Sequence, residues 1–232
     1  MGKTVVALFI SLVFGLFDAK HALAQPLVQD ASALCRELTA KAEARYRLPH
    51  RLLAALSLAE SGRTDLSQAA RVSWPWTINA LGSGRFFPDK AGAVREVKRL
   101  QAKGVRNIDV GCMQVNLGHH PAAFATIEDA FDPAMNVDYA ARFVKNLHAR
   151  TRSWTQAIAF YHSALPARYL PYRRKVMAIW GEEIKLAAQE RRQLALANWH
   201  ARRQTQGGAP LRYPIVCLSC ASSARLTLSP QR

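Results

Sequence analysis

Acidic residues are scarce in this chain: 16 Asp and Glu stand against 32 Lys and Arg, a formal net charge of +16 over 232 residues. In a cytosolic protein that balance would point to nucleic acid. Long apolar runs are missing as well. The run from Val5 to Phe17, about 13 residues, falls short of the roughly 20 that a membrane-crossing helix needs. Cysteines number four, and Cys217-x-x-Cys220 has no second CxxC, matching His pair or βαβ context. A local tail pair therefore stands ahead of half a metal site or a redox motif. No internal repeat of useful length is present, and no stretch alternates apolar and polar residues convincingly enough to read as a strand-rich fold.

What is present begins with an export pattern. Lys3 supplies positive charge, Val5 to Phe17 is apolar, and Ala22-Leu23-Ala24 is a small-x-small cleavage site, so residues 1–24 read as a signal peptide and the mature chain starts at Gln25. Export to the periplasm changes the meaning of the charge, because an exported basic protein meets anionic partners in the cell wall and at membrane surfaces. A soluble surface rich in Arg is the plainer alternative. Export also gives the cysteines an oxidising environment, and spacing favours Cys35 with Cys112. The length allows one domain of ordinary size with a leader and a tail.

From Gln25 onward the periodicity is helical. Ala31 to Tyr46 sets Leu34, Leu38, Ala42 and Tyr46 on one face. Pro49 opens a second helix whose buried stripe is Leu52, Leu53, Leu56 and Ala59, and Ser61-Gly62 ends it. Residues 63–88 read as loop, with a short hairpin in the 70–88 insertion through Trp76-Thr77-Ile78-Asn79. A third helix fits Lys90 to Lys103, closed by Gly104. Asp132-Pro133 starts one that runs to about Arg150, Ser153 caps another, and a final helix begins near Pro171. Glu182 to His200 continues as a basic amphipathic helix before the break at Gly207-Gly208-Ala209-Pro210. Residues 185–232 hold eight Lys or Arg and one acidic residue, a composition that suits a tail outside the catalytic fold.

Glu60 occupies the last turn of the apolar second helix. A carboxylate there is penalised both by the negative end of the helix dipole and by desolvation, so its pKa should rise and leave a protonated acid near neutral pH. Such an acid can protonate the leaving oxygen of a glycosidic bond. Taken alone, Ala59-Glu60-Ser61-Gly62 reads better as the end of a helix that carries a surface glutamate.

Three segments in order change that reading. Leu53-Ala54-Ala55-Leu56 leading into Glu60-Ser61-Gly62, then Gly111-Cys112-Met113-Gln114-Val115-Asn116, then Ala159-Phe160-Tyr161-His162-Ser163-Ala164 resemble the motifs of the soluble lytic transglycosylase (SLT) domain family. The resemblance implies a mainly α, goose-lysozyme-like helical domain over residues 25–180, with 181–232 as a basic C-terminal helix and tail. It implies Glu60 as the catalytic residue, acting first as acid and then as base. Ser61, Met113, Gln114, Asn116, Tyr161 and His162 are implied as substrate-binding residues. A thioether offers a sliding face to a sugar ring, while an amide and a phenol offer hydrogen bonds.

The third motif departs from the family's usual Tyr-Asn-Ala-Gly. His162 either holds the Asn place or is a helix residue with a satisfied ring. Trp74, Trp76 and Phe86 form either an added lip over the cleft or a satellite core. The implied reaction cleaves the β-1,4 bond between N-acetylmuramic acid and N-acetylglucosamine in peptidoglycan and closes a 1,6-anhydro ring, with no cofactor and no metal. A hydrolytic lysozyme would want a second carboxylate, for which Asp65 and Asp109 are the candidates, although Asp109 also suits the turn into Gly111. A non-catalytic wall-binding protein is the third reading. The implied partners are glycan strands and, as for many small relatives, a secretion or conjugation apparatus. Nucleic acid is not expected, the basic tail suits peripheral membrane contact, and a monomer is expected.

Overall fold

The computed structural model describes residues 31–66 and 69–205. The leader, the break at 207–210 and the Cys217 and Cys220 pair lie outside the described residues. Helix α1 is Ala31–Tyr46 and α2 is Leu52–Ser61. Pro49 does not open α2 but sits in the turn before it, where its carbonyl accepts from the Leu52 amide at 3.1 Å. Arg51 precedes α2 at φ 64° without a side-chain cap of its own. Glu43 of α1 supplies the missing acceptor. Its carboxylate takes the backbone N–H groups of Arg51 (2.7 Å), Leu53 (2.7 Å) and Ala54 (3.2 Å), satisfying amides that have no partner inside the helix and complementing its positive end.

The segment read as loop is built of short strands. β1 (Gly62–Asp65) pairs antiparallel with β2 (Ala70–Ser73), and β3 (Thr77–Ala80) with β4 (Ser83–Phe86). The second pair is the hairpin expected in this region. Leu81 (φ 55°) and Gly82 (φ 76°) turn it, the positive dihedrals that a two-residue hairpin loop requires. After α3 (Lys90–Ala102), strands β5 (Ile108–Val110) and β6 (Val115–Asn116) complete a four-stranded sheet in the order β4-β3-β5-β6. Then follow α4 (Ile127–Ala130), α5 (Pro133–Thr151), α6 (Trp154–His162) and α7 (Pro166–Thr205). The last helix starts five residues before the expected Pro171, which lies inside it. Pro166 takes the first-turn place that was assigned to Pro171.

Two cores result. One joins α1, α2, α5, α6 and α7 around Leu52, Leu53, Leu56, Val144 and Ile158, and the other packs Val97 and Leu100 of α3 on Ile78, Ile108, Val110 and Phe131. A disulfide joins Cys35 of α1 to Cys112, with 5.7 Å between Cα atoms. Arg36 and Arg51 both reach Glu190 of α7, at 2.7 and 2.5 Å, which ties the start of α2 to the middle of the long helix. Trp74 belongs to this packed interior: it is 8% exposed and donates to the Phe87 carbonyl at 2.6 Å. Trp76 packs on the second core, and Arg63 lies 3.4 Å over the Trp74 ring. No helix among the described residues is long and apolar enough to cross a membrane.

Candidate active site

A cleft of about 600 Å³ opens between the two cores. Its walls come from α2 (Glu60), β3 (Asn79), β5 (Asp109), Gln114, Asn116 of β6, α5 (Tyr139, Phe143) and the α6–α7 corner (Tyr161, His162, Arg168). Trp74, Trp76 and Phe86 are not among the lining residues: Trp74 is buried and Trp76 packs on the second core, whereas Phe86 remains 44% exposed. Among the described residues no group of His, Cys, Asp and Glu could hold a metal ion.

Glu60 lies at the end of α2, partly exposed to the cleft. Tyr172 of α7 donates its hydroxyl to Glu60 Oε1 at 2.5 Å, and Lys175, one turn further along α7, donates to the Ala59 carbonyl at 2.6 Å. Lys175 thereby caps a carbonyl that α2 cannot satisfy internally and brings a cation to the helix's negative end. Burial nevertheless dominates and pushes the Glu60 carboxyl up to about 7, with the Asp109 charge adding to the rise and Tyr172 and Lys175 opposing it. A carboxyl poised there holds a proton at neutral pH and can also give it up. The Tyr172 hydroxyl is held well above its ordinary range by burial and by the Glu60 charge, so it remains a donor.

The segment from Gly111 to Asn116 is locked from behind. Gly111 has φ 83°, and a Cβ there would meet Asn136 Nδ2 at 2.4 Å; both the dihedral and the space demand glycine. Asn136, fully buried on α5, accepts from the Met113 amide at 2.9 Å and donates to the Val110 and Ala130 carbonyls at 3.0 Å each. Gln114 follows at φ 47°, and its amide donates to the carbonyls of Thr77 and Gly111 at 3.1 Å each. Asn116 donates to Asp109 at 2.7 Å. Asn79 donates to the other Asp109 oxygen at 3.4 Å, so this carboxylate is fixed within the sheet while facing the cleft.

The expected sugar contacts divide. Gln114, Asn116, Tyr161 and His162 line the cleft; Met113 and Ser61 do not. Met113 is fully buried, its thioether committed to the core, and what the motif exposes is Gln114 beside it. Ser61, 1% exposed, donates to the Cys112 carbonyl at 2.7 Å, bracing the disulfide segment against α2. Tyr161 donates to the Met113 carbonyl at 2.7 Å and so braces the same segment from the other side. His162 stacks on Tyr172, ring centroids 4.4 Å apart and planes within 8°, which fixes the phenol that serves Glu60. Tyr172 and Lys175 were missed because they belong to no motif. The available signal was their spacing of three on a helix, which sets both on one face.

The family described as Transglycosylase SLT domain matches residues 37–168. No curated protein and no solved structure matches the chain. The matched span holds Glu60, the Gly111 to Asn116 segment and Tyr161 in the order and spacing that built this cleft, and the chain belongs to the transglycosylase SLT domain family, lysozyme-like enzymes that act on peptidoglycan.

Proposed function

We propose that this chain is an exported lytic transglycosylase that cleaves the β-1,4 bond from N-acetylmuramic acid to N-acetylglucosamine, with Glu60 serving both proton transfers. The observation that carries the reading is a Glu60 carboxyl near neutral pKa, bonded to Tyr172 in a cleft walled by amides and phenols. In the first step protonated Glu60 gives its proton to the glycosidic oxygen. The bond from C1 to that oxygen breaks as the acetamido oxygen of the muramoyl residue closes on C1. In the second step the Glu60 carboxylate takes the proton of the C6 hydroxyl, whose oxygen attacks C1 and displaces the acetamido oxygen, leaving a 1,6-anhydro ring and a proton on Glu60. No water is consumed. The Cys35 to Cys112 bond supports export, since structural disulfides persist in oxidising compartments.

A hydrolytic outcome has one observation in its favour: Asp109 shares the cleft and its charge is felt at Glu60. Both Asp109 oxygens are engaged by Asn116 and Asn79, which favours a fixed charge over a base that activates water. Mass spectrometry of fragments released from peptidoglycan sacculi separates the two. Anhydro-muropeptides are expected; reducing ends, heavier by one water, would replace this reading with the hydrolase.

Tyr172→Phe tests the acid. Losing the phenol removes a donor that favours the carboxylate, so Glu60 holds its proton to higher pH. The alkaline limb of the pH–rate profile should move up by about one pH unit, in keeping with one charge-assisted hydrogen bond, while kcat falls. An unmoved limb would show that Tyr172 does not set the proton affinity of the group that limits the rate.

A further inference from the structure

Amides, phenols and carboxyls on one side of the cleft suit a glycan. The rim where α6 turns into α7 adds a different chemistry. Arg168 is the only Lys or Arg among the lining residues. It is exposed, and among the described residues its guanidinium has no ion pair or hydrogen bond. Arg36, Arg51, Arg85, Arg99 and Arg142, by contrast, each hold a carboxylate. The first turn of α7 carries no acidic residue to engage it. Beside it on the rim, Leu165 is 57% exposed. Burial disfavours protonation of His162, and the charges of Lys175 and Arg168 add to that effect while Asp109 opposes it.

A neutral oligosaccharide has little use for an unpaired guanidinium next to an exposed leucine. Peptidoglycan offers more than sugar: each muramoyl residue carries a peptide stem of alanine methyl groups and free carboxylates. A guanidinium forks onto a carboxylate through two parallel N–H groups, and an aliphatic side chain covers a methyl group. We propose that Arg168 and Leu165 form a subsite for the acidic peptide stem, Arg168 pairing with a stem carboxylate and Leu165 packing on an alanine methyl. The subsite rests on the reading of the cleft as one that cleaves peptidoglycan. It makes the enzyme a reader of stem-bearing strands and not only of their sugar.

The test compares stem-bearing glycan strands with the same strands after an amidase has removed their peptides and the lactyl carboxylate so exposed on each muramoyl residue has been capped as its methylamide. Arg168→Gln should lower the ratio of kcat/KM on stem-bearing to stripped strands about tenfold, the value of one charge-assisted pair. The change is expected in KM on stem-bearing strands, with Arg168→Lys retaining part of the preference and added salt eroding it in the wild type. An Arg168→Gln ratio equal to that of the wild type, with both substrates cleaved, overturns the subsite and leaves the cleavage reading standing. A wild type that releases nothing from either substrate overturns the cleavage reading and the subsite with it.

Discussion

Replacing Glu60 by Gln lowers the release of muropeptides from sacculi by at least about a thousandfold and at the same time makes the folded protein more stable above neutral pH. The two effects have one cause. The amide cannot donate the proton that cleavage needs, nor can it carry the charge that the fold penalises. Because the folded carboxyl titrates at about 7 against an ordinary 4.5, the native state holds a proton that the unfolded chain releases as pH rises. Below about pH 4.5 both states are protonated and the wild type pays nothing. Between there and pH 7 its stability falls, and above 7 the cost is complete. The glutamine variant has no such slope. Allowing for partial exposure and for the burial of the amide itself, its advantage at pH 8 should be roughly 1–2 kcal/mol and should vanish at pH 4. Urea denaturation at both pH values reads it directly. Equal stabilities at pH 8 would mean that Glu60 is not held against its charge, and the acid role would lose its physical basis.

Removing the disulfide is the second large effect. Cys35 and Cys112 are both fully buried and separated by 77 positions, so the bond closes a long loop in the unfolded chain. The entropy of that closure is worth about 4 kcal/mol. A Cys35→Ala/Cys112→Ala variant should lose about 3–4 kcal/mol in denaturant titration. Its activity should fall more than that of an equally destabilised variant elsewhere, because Cys112 directly precedes Met113 and Gln114 and its carbonyl holds Ser61. A midpoint within error of the wild type would show that hydrogen bonds from Asn136, Tyr161 and Ser61 hold the segment unaided.

Helices were legible where periodicity and punctuation agreed. Ala31 to Tyr46 and the caps Asp132 and Ser153 appear in the sequence as they do in the fold, and the helix expected over Lys90 to Lys103 ends one residue earlier, with Lys103 as its cap. Of the strands only the β3–β4 hairpin was anticipated; the others have two to four residues, too few for a period of two to separate from chance. Their order in space comes from β5 meeting β3 across the whole of α3, with β6 added on the far side of β5, a long-range pairing that no local pattern announces. At the site, motif order located the segment but not the atoms. Met113 has the identity the motif demands, yet its side chain serves the core, and its neighbour Gln114 turns to the cleft through a left-handed dihedral. Glu60 became readable as the acid only when the ordered segments around Met113-Gln114 and Tyr161 were added to its helix end; Tyr172, its hydrogen-bond partner, lies outside those segments.

The course of α7 decides what the smallest working unit is. The family match stops at residue 168, yet the same unbroken helix goes on to supply Tyr172 to Glu60, Lys175 to the end of α2 and Glu190 to its start. A gene fragment cut at the family boundary would encode the acid without its partner and deprive the helix that carries it of one tie at each end, leaving Glu43 at its start and the Ser61 bond to Cys112 at its end. A module that keeps every one of these contacts runs through Glu190, so joints placed beyond that point preserve the setting of Glu60 and joints placed at the family boundary do not.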